Sequence, residues 1–108
     1  MTGNDYQTAA LRTASPGQRL YDRVINGALG LSGECGEVAD HIKKFMYQGH
    51  ELDRDHLVEE LGDVLWYVSL TLNGLGCDME TCMSRNIQKL MKRYPDGFSA
   101  ERSIHREA

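Results

Sequence analysis

Between Ser15 and Arg93 the apolar residues of this chain recur every three or four positions, the repeat of a helix that keeps one side out of water. Leu20, Val24, Ala28, Leu31, Cys35, Val38, Ile42 and Phe45 fall on one such stripe. The stripe predicts a long helix, opened by Ser15 as cap with Pro16 at the first helical position and closed near Gly49. Lys43 and Lys44 would then lie near its negative end. A shorter helix is expected before it, from about Asp5 to Thr13, capped by Asn4 or Asp5. A third starts around Asp53, carries Leu57, Leu61, Val64, Leu65 and Val68, and dissolves at Asn73-Gly74-Leu75-Gly76. The fourth is capped by Asp78 and runs through Met83, Ile87, Leu90 and Met91 to about Arg93, where Tyr94-Pro95-Asp96-Gly97 stops it. The polar tail from Phe98 to Ala108 reads as a short helix or a frayed end. Nothing alternates as a strand does. The expectation is an all-α fold, an antiparallel helical bundle of about four helices forming a single domain over residues 1–108.

Composition narrows the function classes. A net charge of -4 gives no basic surface for holding nucleic acid. No apolar run approaches the roughly 20 residues that cross a bilayer, so no membrane role is expected. The first residues lack the basic-then-apolar layout of a signal peptide, and the 3 cysteines form no CxxC or zinc spacing. Reduced thiols in a cytoplasmic protein follow. A chain this short hides only about two-thirds of its unfolded surface, and its apolar helices favour a homo-oligomer, at least a dimer.

The chemistry lies in two acidic pairs. Glu34 and Glu37 stand three residues apart on the second expected helix, and Glu60 and Asp63 do the same on the third. Each pair projects from one helix face and borders the apolar stripe, where an unpaired carboxylate is costly. If the two faces converge, four oxygen donors meet, a set suited to a hard divalent cation such as Mg²⁺. A solvated acidic face is the competing explanation. Gly33, Gly36 and Gly62 lie beside the carboxylates and signify either close helix packing or room for a ligand. His41 and His56 fall four residues from Glu37 and Glu60, and read as hydrogen-bonding neighbours rather than ligands. Tyr67, four after Asp63, either stacks on a nucleobase or is an ordinary core or rim tyrosine. Trp66 points elsewhere, to core or subunit contact.

At Gly30-Leu31-Ser32-Gly33-Glu34-Cys35-Gly36-Glu37-Val38-Ala39-Asp40 and Glu59-Glu60-Leu61-Gly62-Asp63-Val64-Leu65-Trp66-Tyr67-Val68 the chain resembles the MazG-like nucleotide pyrophosphohydrolases of the all-alpha NTP pyrophosphatase superfamily. The shared pattern is ExxE, a spacer, then ExxD. Asp5-Tyr6-Gln7 and Lys92-Arg93-Tyr94-Pro95-Asp96-Gly97-Phe98 resemble short bacterial and phage members. The resemblance implies Mg²⁺-dependent hydrolysis of a nucleoside or deoxynucleoside triphosphate to the monophosphate and pyrophosphate, in house-cleaning or pool control. By the same resemblance Glu34, Glu37, Glu60 and Asp63 coordinate the metal, with a glutamate also serving the attacking water. Asn86 and Lys89 become phosphate or sugar contacts, and the subunits assemble as a homodimer or homotetramer. A dUTPase-like or phosphoribosyl-ATP-hydrolysing activity would use the same metal site. The rival of another class is a non-catalytic helical interaction protein.

Overall fold

The computed structural model describes residues 1–105, an all-helical chain without a β-strand among the described residues. Helix α1 spans Gly3–Ala10 and tightens into a 3-10 turn over Leu11–Thr13. α2 spans Leu20–Tyr47, α3 Arg54–Gly74, α4 Met79–Arg93 and a short α5 Ala100–Ile104. The last three residues of the tail, 106–108, lie outside the described residues. No helix among the described residues is long and apolar enough to cross a membrane.

Local chemistry sets most boundaries. The Asp53 side chain accepts from His56 N–H to open α3, and Asp78 accepts from Thr81 N–H to open α4. Gly49 and Gly76, with φ of 72° and 69°, follow α2 and α3 in the left-handed conformation that ends a helix. Two starts differ from expectation. α1 is capped by Thr2, whose hydroxyl accepts from Asp5 N–H while the Asp5 carboxylate accepts from Thr2 N–H. Asn4 instead reaches α4, with Glu80 N–H donating to Asn4 Oδ1 and Asn4 N–H donating to Glu80 Oε2. Ser15-Pro16 does not open α2, which begins at Leu20 with Arg19 in the cap position. Gly17, at φ 80°, turns the chain first, so the proline belongs to the turn.

The main packing unit is the antiparallel pair α2 and α3. A Cβ on Gly27 would lie 2.9 Å from Thr71 N, one on Gly30 would run into the Tyr67 ring, and one on Gly74 would sit 2.7 Å from Leu20 O. Glycine costs a helix interior about 1 kcal/mol relative to alanine; here its lack of a side chain is what lets the two backbones approach. The face of α2 turned to α3 therefore runs through Val24, Gly27, Gly30, Leu31, Glu34, Val38 and His41, all at least half-buried. This corrects the expected stripe. Leu20, Ala28, Cys35, Ile42 and Phe45 are exposed, as is Leu29 at 70%.

The fully buried centre is small: Leu70 and Ser69 on α3, with Met79 and Gln7 close behind. Gln7 ties three elements together. Its amide donates to Ser69 O at 3.1 Å and, more weakly, to Cys77 O, while its carbonyl accepts from Met79 N–H at 2.9 Å. The molecule is extended for its size. Its radius of gyration is 16.8 Å, against about 13 Å for a compact chain of this length. Its surface of 7991 Å² exceeds the roughly 6,100 Å² of a folded monomer of this mass.

Candidate functional site

The register that lays Gly30 on Tyr67 carries Glu34 of α2 to Asp63 of α3, one turn along each helix. Glu34 holds its proton more tightly than an ordinary glutamate, first through partial burial and then through the charges of Asp63, Glu37 and Glu60. The other three sequence-predicted carboxylates thus lie within electrostatic reach of Glu34. Glu37 and Asp63 are exposed, whereas Glu60 is 8% exposed. Glu60 Oε1 lies 2.8 Å from His56 Nε2, and its Oε2 is buried with no hydrogen-bond partner. Gly33, Gly36 and Gly62 would meet nothing within 4 Å if they carried a Cβ. Close packing within the chain is therefore not their purpose; Gly33 and Gly36 are exposed and lie off the face that meets α3.

A cleft of about 390 Å³ is lined by Thr13, Glu34, Asp63, Trp66 and Tyr67. Its size is in the range of small-molecule sites. A wider hollow of about 590 Å³ over the α2–α3 connection, at Glu51–Asp55, contains none of the four carboxylates. The Tyr67 ring lies over Gly30 and meets Trp66 edge-on, with centroids 5.0 Å apart. Trp66 is more than a core contact: its indole N–H donates to Ala10 O and Thr13 Oγ1, fixing the 3-10 turn as one wall of the cleft. Tyr6 is a residue that spacing alone did not single out. Its phenol is pushed above its ordinary value by burial first and by the charge of Asp63 second, so α1 also borders the acidic cluster.

Asn86 and Lys89 are not brought to the cleft. Both are exposed on α4, which packs on α1 and α3, and neither lines the Glu34–Asp63 space. The two histidines, by contrast, come closer than expected. The antiparallel register sets the rings of His41 on α2 and His56 on α3 5.8 Å apart, both beside Glu60. Sequence could not pair them, because they sit on different helices and only the register joins them.

Glu34, Glu37, Glu60 and Asp63 are hard oxygen donors, the ligand type Mg²⁺ takes, and Glu60 contributes a buried oxygen with no partner. Among the described residues their oxygens are not drawn to ligand spacing; the group that is consists of His41, His56 and Glu60.

Comparison with known proteins agrees with the motifs. The family model described as the MazG nucleotide pyrophosphohydrolase domain matches residues 26–98. The chain is also 38% identical over 100 residues to the Gene 37 protein of Mycobacterium phage L5, covering 85% of this chain and 88% of that protein. No solved structure matches.

Proposed function

Because the chain belongs to the MazG nucleotide pyrophosphohydrolase domain family, we propose that it hydrolyses a nucleoside or deoxynucleoside triphosphate to the monophosphate and pyrophosphate, with Mg²⁺ as cofactor, in nucleotide-pool control. The observation that supports this reading is the cleft that Glu34 of α2 and Asp63 of α3 share with Tyr67, with Glu37 and Glu60 near enough to raise the Glu34 carboxyl. Mg²⁺ held by these four residues would offset the negative charge of the phosphates. The remaining work falls to the chain. A glutamate of the cluster takes a proton from water as its oxygen attacks the α-phosphorus. The bond from that phosphorus to the α–β bridging oxygen breaks, and pyrophosphate leaves. Tyr67 offers a flat face for the base.

The same reading includes a homo-oligomer of two or more subunits. The surface excess of roughly 1,900 Å² over a folded monomer is within the area a subunit contributes to an obligate interface. Leu29, Val58, Leu65 and Ile87 supply apolar surface for it. A neighbouring subunit's α4 would then bring Asn86 and Lys89 to the nucleotide, which the protomer alone does not do.

The test is pyrophosphate release from a panel of dNTPs and NTPs, with and without Mg²⁺. Turnover should require the metal, and Glu37→Ala or Asp63→Ala should lower it by at least ~100-fold, the upper range for disturbing the shell outside a metal's ligands. Turnover equal to wild type in both variants sinks the reading. Light scattering should return a dimer or larger species; a monomer at working concentration removes the assembly.

A further inference from the structure

Glu60 is a carboxylate with two unlike sides. One oxygen faces His56 at 2.8 Å, and the other is buried without a partner. Its side chain is nine-tenths buried, so the unpartnered oxygen has no free access to water as a substitute. A buried carboxylate left half-satisfied is expensive. The orphaned oxygen suits the carboxylate cluster described above; the histidine side has a different composition and calls for a different occupant.

His41, His56 and Glu60 each present one donor atom, and the three lie within 4.8 Å of one another. Two imidazoles and one carboxylate are the wrong set for Mg²⁺ and the right one for a borderline divalent ion. Zinc is commonly held by this trio, with water at the open position. We propose that His41, His56 and Glu60 form a second metal site, selective for a borderline divalent transition cation of the Zn²⁺ or Co²⁺ type. Glu60 is shared between it and the carboxylate cluster.

The surroundings favour the assignment. His56 Nδ1 points toward Glu59 Oε2 at 3.8 Å while Nε2 faces Glu60. Glu59 is beyond hydrogen-bond reach at that distance, but it places a negative charge on the side of the ring away from Glu60. His41 Nε2 accepts a long bond of 3.3 Å from Asp53 N–H. Accepting at that nitrogen requires a lone pair there, which is the form a metal needs. Asp53 is exposed, so water can satisfy its N–H when a cation takes the lone pair. A cation drawing these donors to ~2.0–2.2 Å also draws them closer to one another; the His56 side chain, 54% exposed, has room to turn inward.

This site does not depend on nucleotide turnover, and its test is read without substrate. The chelator-treated protein is titrated with Co²⁺ in excess Mg²⁺, following the visible absorption of the ion and the heat of binding. About one equivalent per chain should bind, with the spectrum of nitrogen-ligated Co²⁺, and Zn²⁺ should displace it. His41→Ala and His56→Ala should each weaken binding at least ~10-fold, since even outer-shell changes cost that much. Glu34→Gln should keep the Co²⁺ spectrum. His41→Asn and His56→Gln, checked for helix content by circular dichroism, provide the same comparison if the alanine variants fold poorly. Co²⁺ binding that survives both histidine changes, or that excess Mg²⁺ abolishes, overturns the site and leaves His56–Glu60 a hydrogen-bonded pair. Loss of pyrophosphate release in wild type would overturn the hydrolase reading and leave this one standing.

Discussion

On the N-terminal half of α2, Gly27 and Gly30 lie against Thr71 and Tyr67 of α3, and the two helices close to backbone contact. One turn further along, Gly33 and Gly36 face open space, and the helices present carboxylates to each other instead. The residue type is the same and the helices are the same. The difference is the side of the helix on which each lies: Gly27 and Gly30 sit on the face that meets α3, whereas Gly33 and Gly36 are exposed. In the first pair the missing side chain gains packing. In the second it costs helix stability with no contact inside the protomer in return. The rigid contact sets the register that brings Glu34 to Asp63 one turn on.

The contrast can be broken by filling each kind of glycine. Gly27→Ala puts a methyl group against Thr71 N and Cα, at 2.9 and 3.0 Å. It should cost ~1–3 kcal/mol through overpacking, read as a lower urea midpoint. Gly33→Ala meets nothing and should gain ~0.5–1 kcal/mol from helix propensity. If Gly33→Ala is as damaging as Gly27→Ala, a neighbouring subunit packs on that glycine and the two halves are alike.

The next effect concerns charge. The pKa of Glu34 is raised above its ordinary 4.5 by burial and then by its three acidic neighbours. A raised carboxylate contributes stability that is full below the unfolded value and lost as pH rises through the folded one. Metal-free protein should therefore lose thermal stability as pH climbs from about 4.5 through that raised value. Glu34→Gln should flatten this decline and, with Mg²⁺ present, show a smaller metal-induced rise in Tm. An unchanged profile would mean the carboxylates do not face one another. The smallest effect has the opposite sign and lies outside the pair. Asp78 is held below its ordinary 3.8, first by Thr81 through its hydroxyl and backbone N–H. Its stabilisation of α4 is present above pH 3.8 and should fade as pH falls through the lowered value, an acid-side loss that Asp78→Asn removes.

Particular residues show how much of this could be read from the chain. The caps Asp53 and Asp78 and the breaks at Gly49 and Gly76 were legible, because each acts within a few residues. The acidic pairs were legible as pairs, since three-residue spacing fixes a common face. The partner of each face was not. Periodicity shows that Leu20 or Phe45 wants cover, but not whether cover comes from this chain, and both are exposed in the protomer. The face that meets α3 interleaves Val24, Leu31 and Val38 of the expected stripe with Gly27, Gly30 and Glu34, which a hydrophobicity pattern passes over. His41 and His56 were legible as neighbours of the acidic pairs but not of each other, and Tyr6 only as part of the family resemblance, for a related reason. Their positions depend on the antiparallel register and on the docking of α1, and neither leaves a local trace.

The Gln7 hydrogen bonds also set an order of assembly. Gln7 joins Ser69 and Met79, partners 62 and 72 residues away in the chain. The α2–α3 hairpin can zip outward from its short connection, whereas α1 must close a much longer loop before any contact rewards it. As the chain emerges from the ribosome, the first helix has only its α3 contacts at Trp66 and Ser69 to rest on until Met79 is out. Pulse-labelled hydrogen exchange should find α1 amides protected after those of α2 and α3. Since Tyr6 and the Trp66-bound turn arrive with that helix, the cleft acquires its last wall in the slowest step, and a nascent or half-refolded chain carries the carboxylates without the enclosure around them.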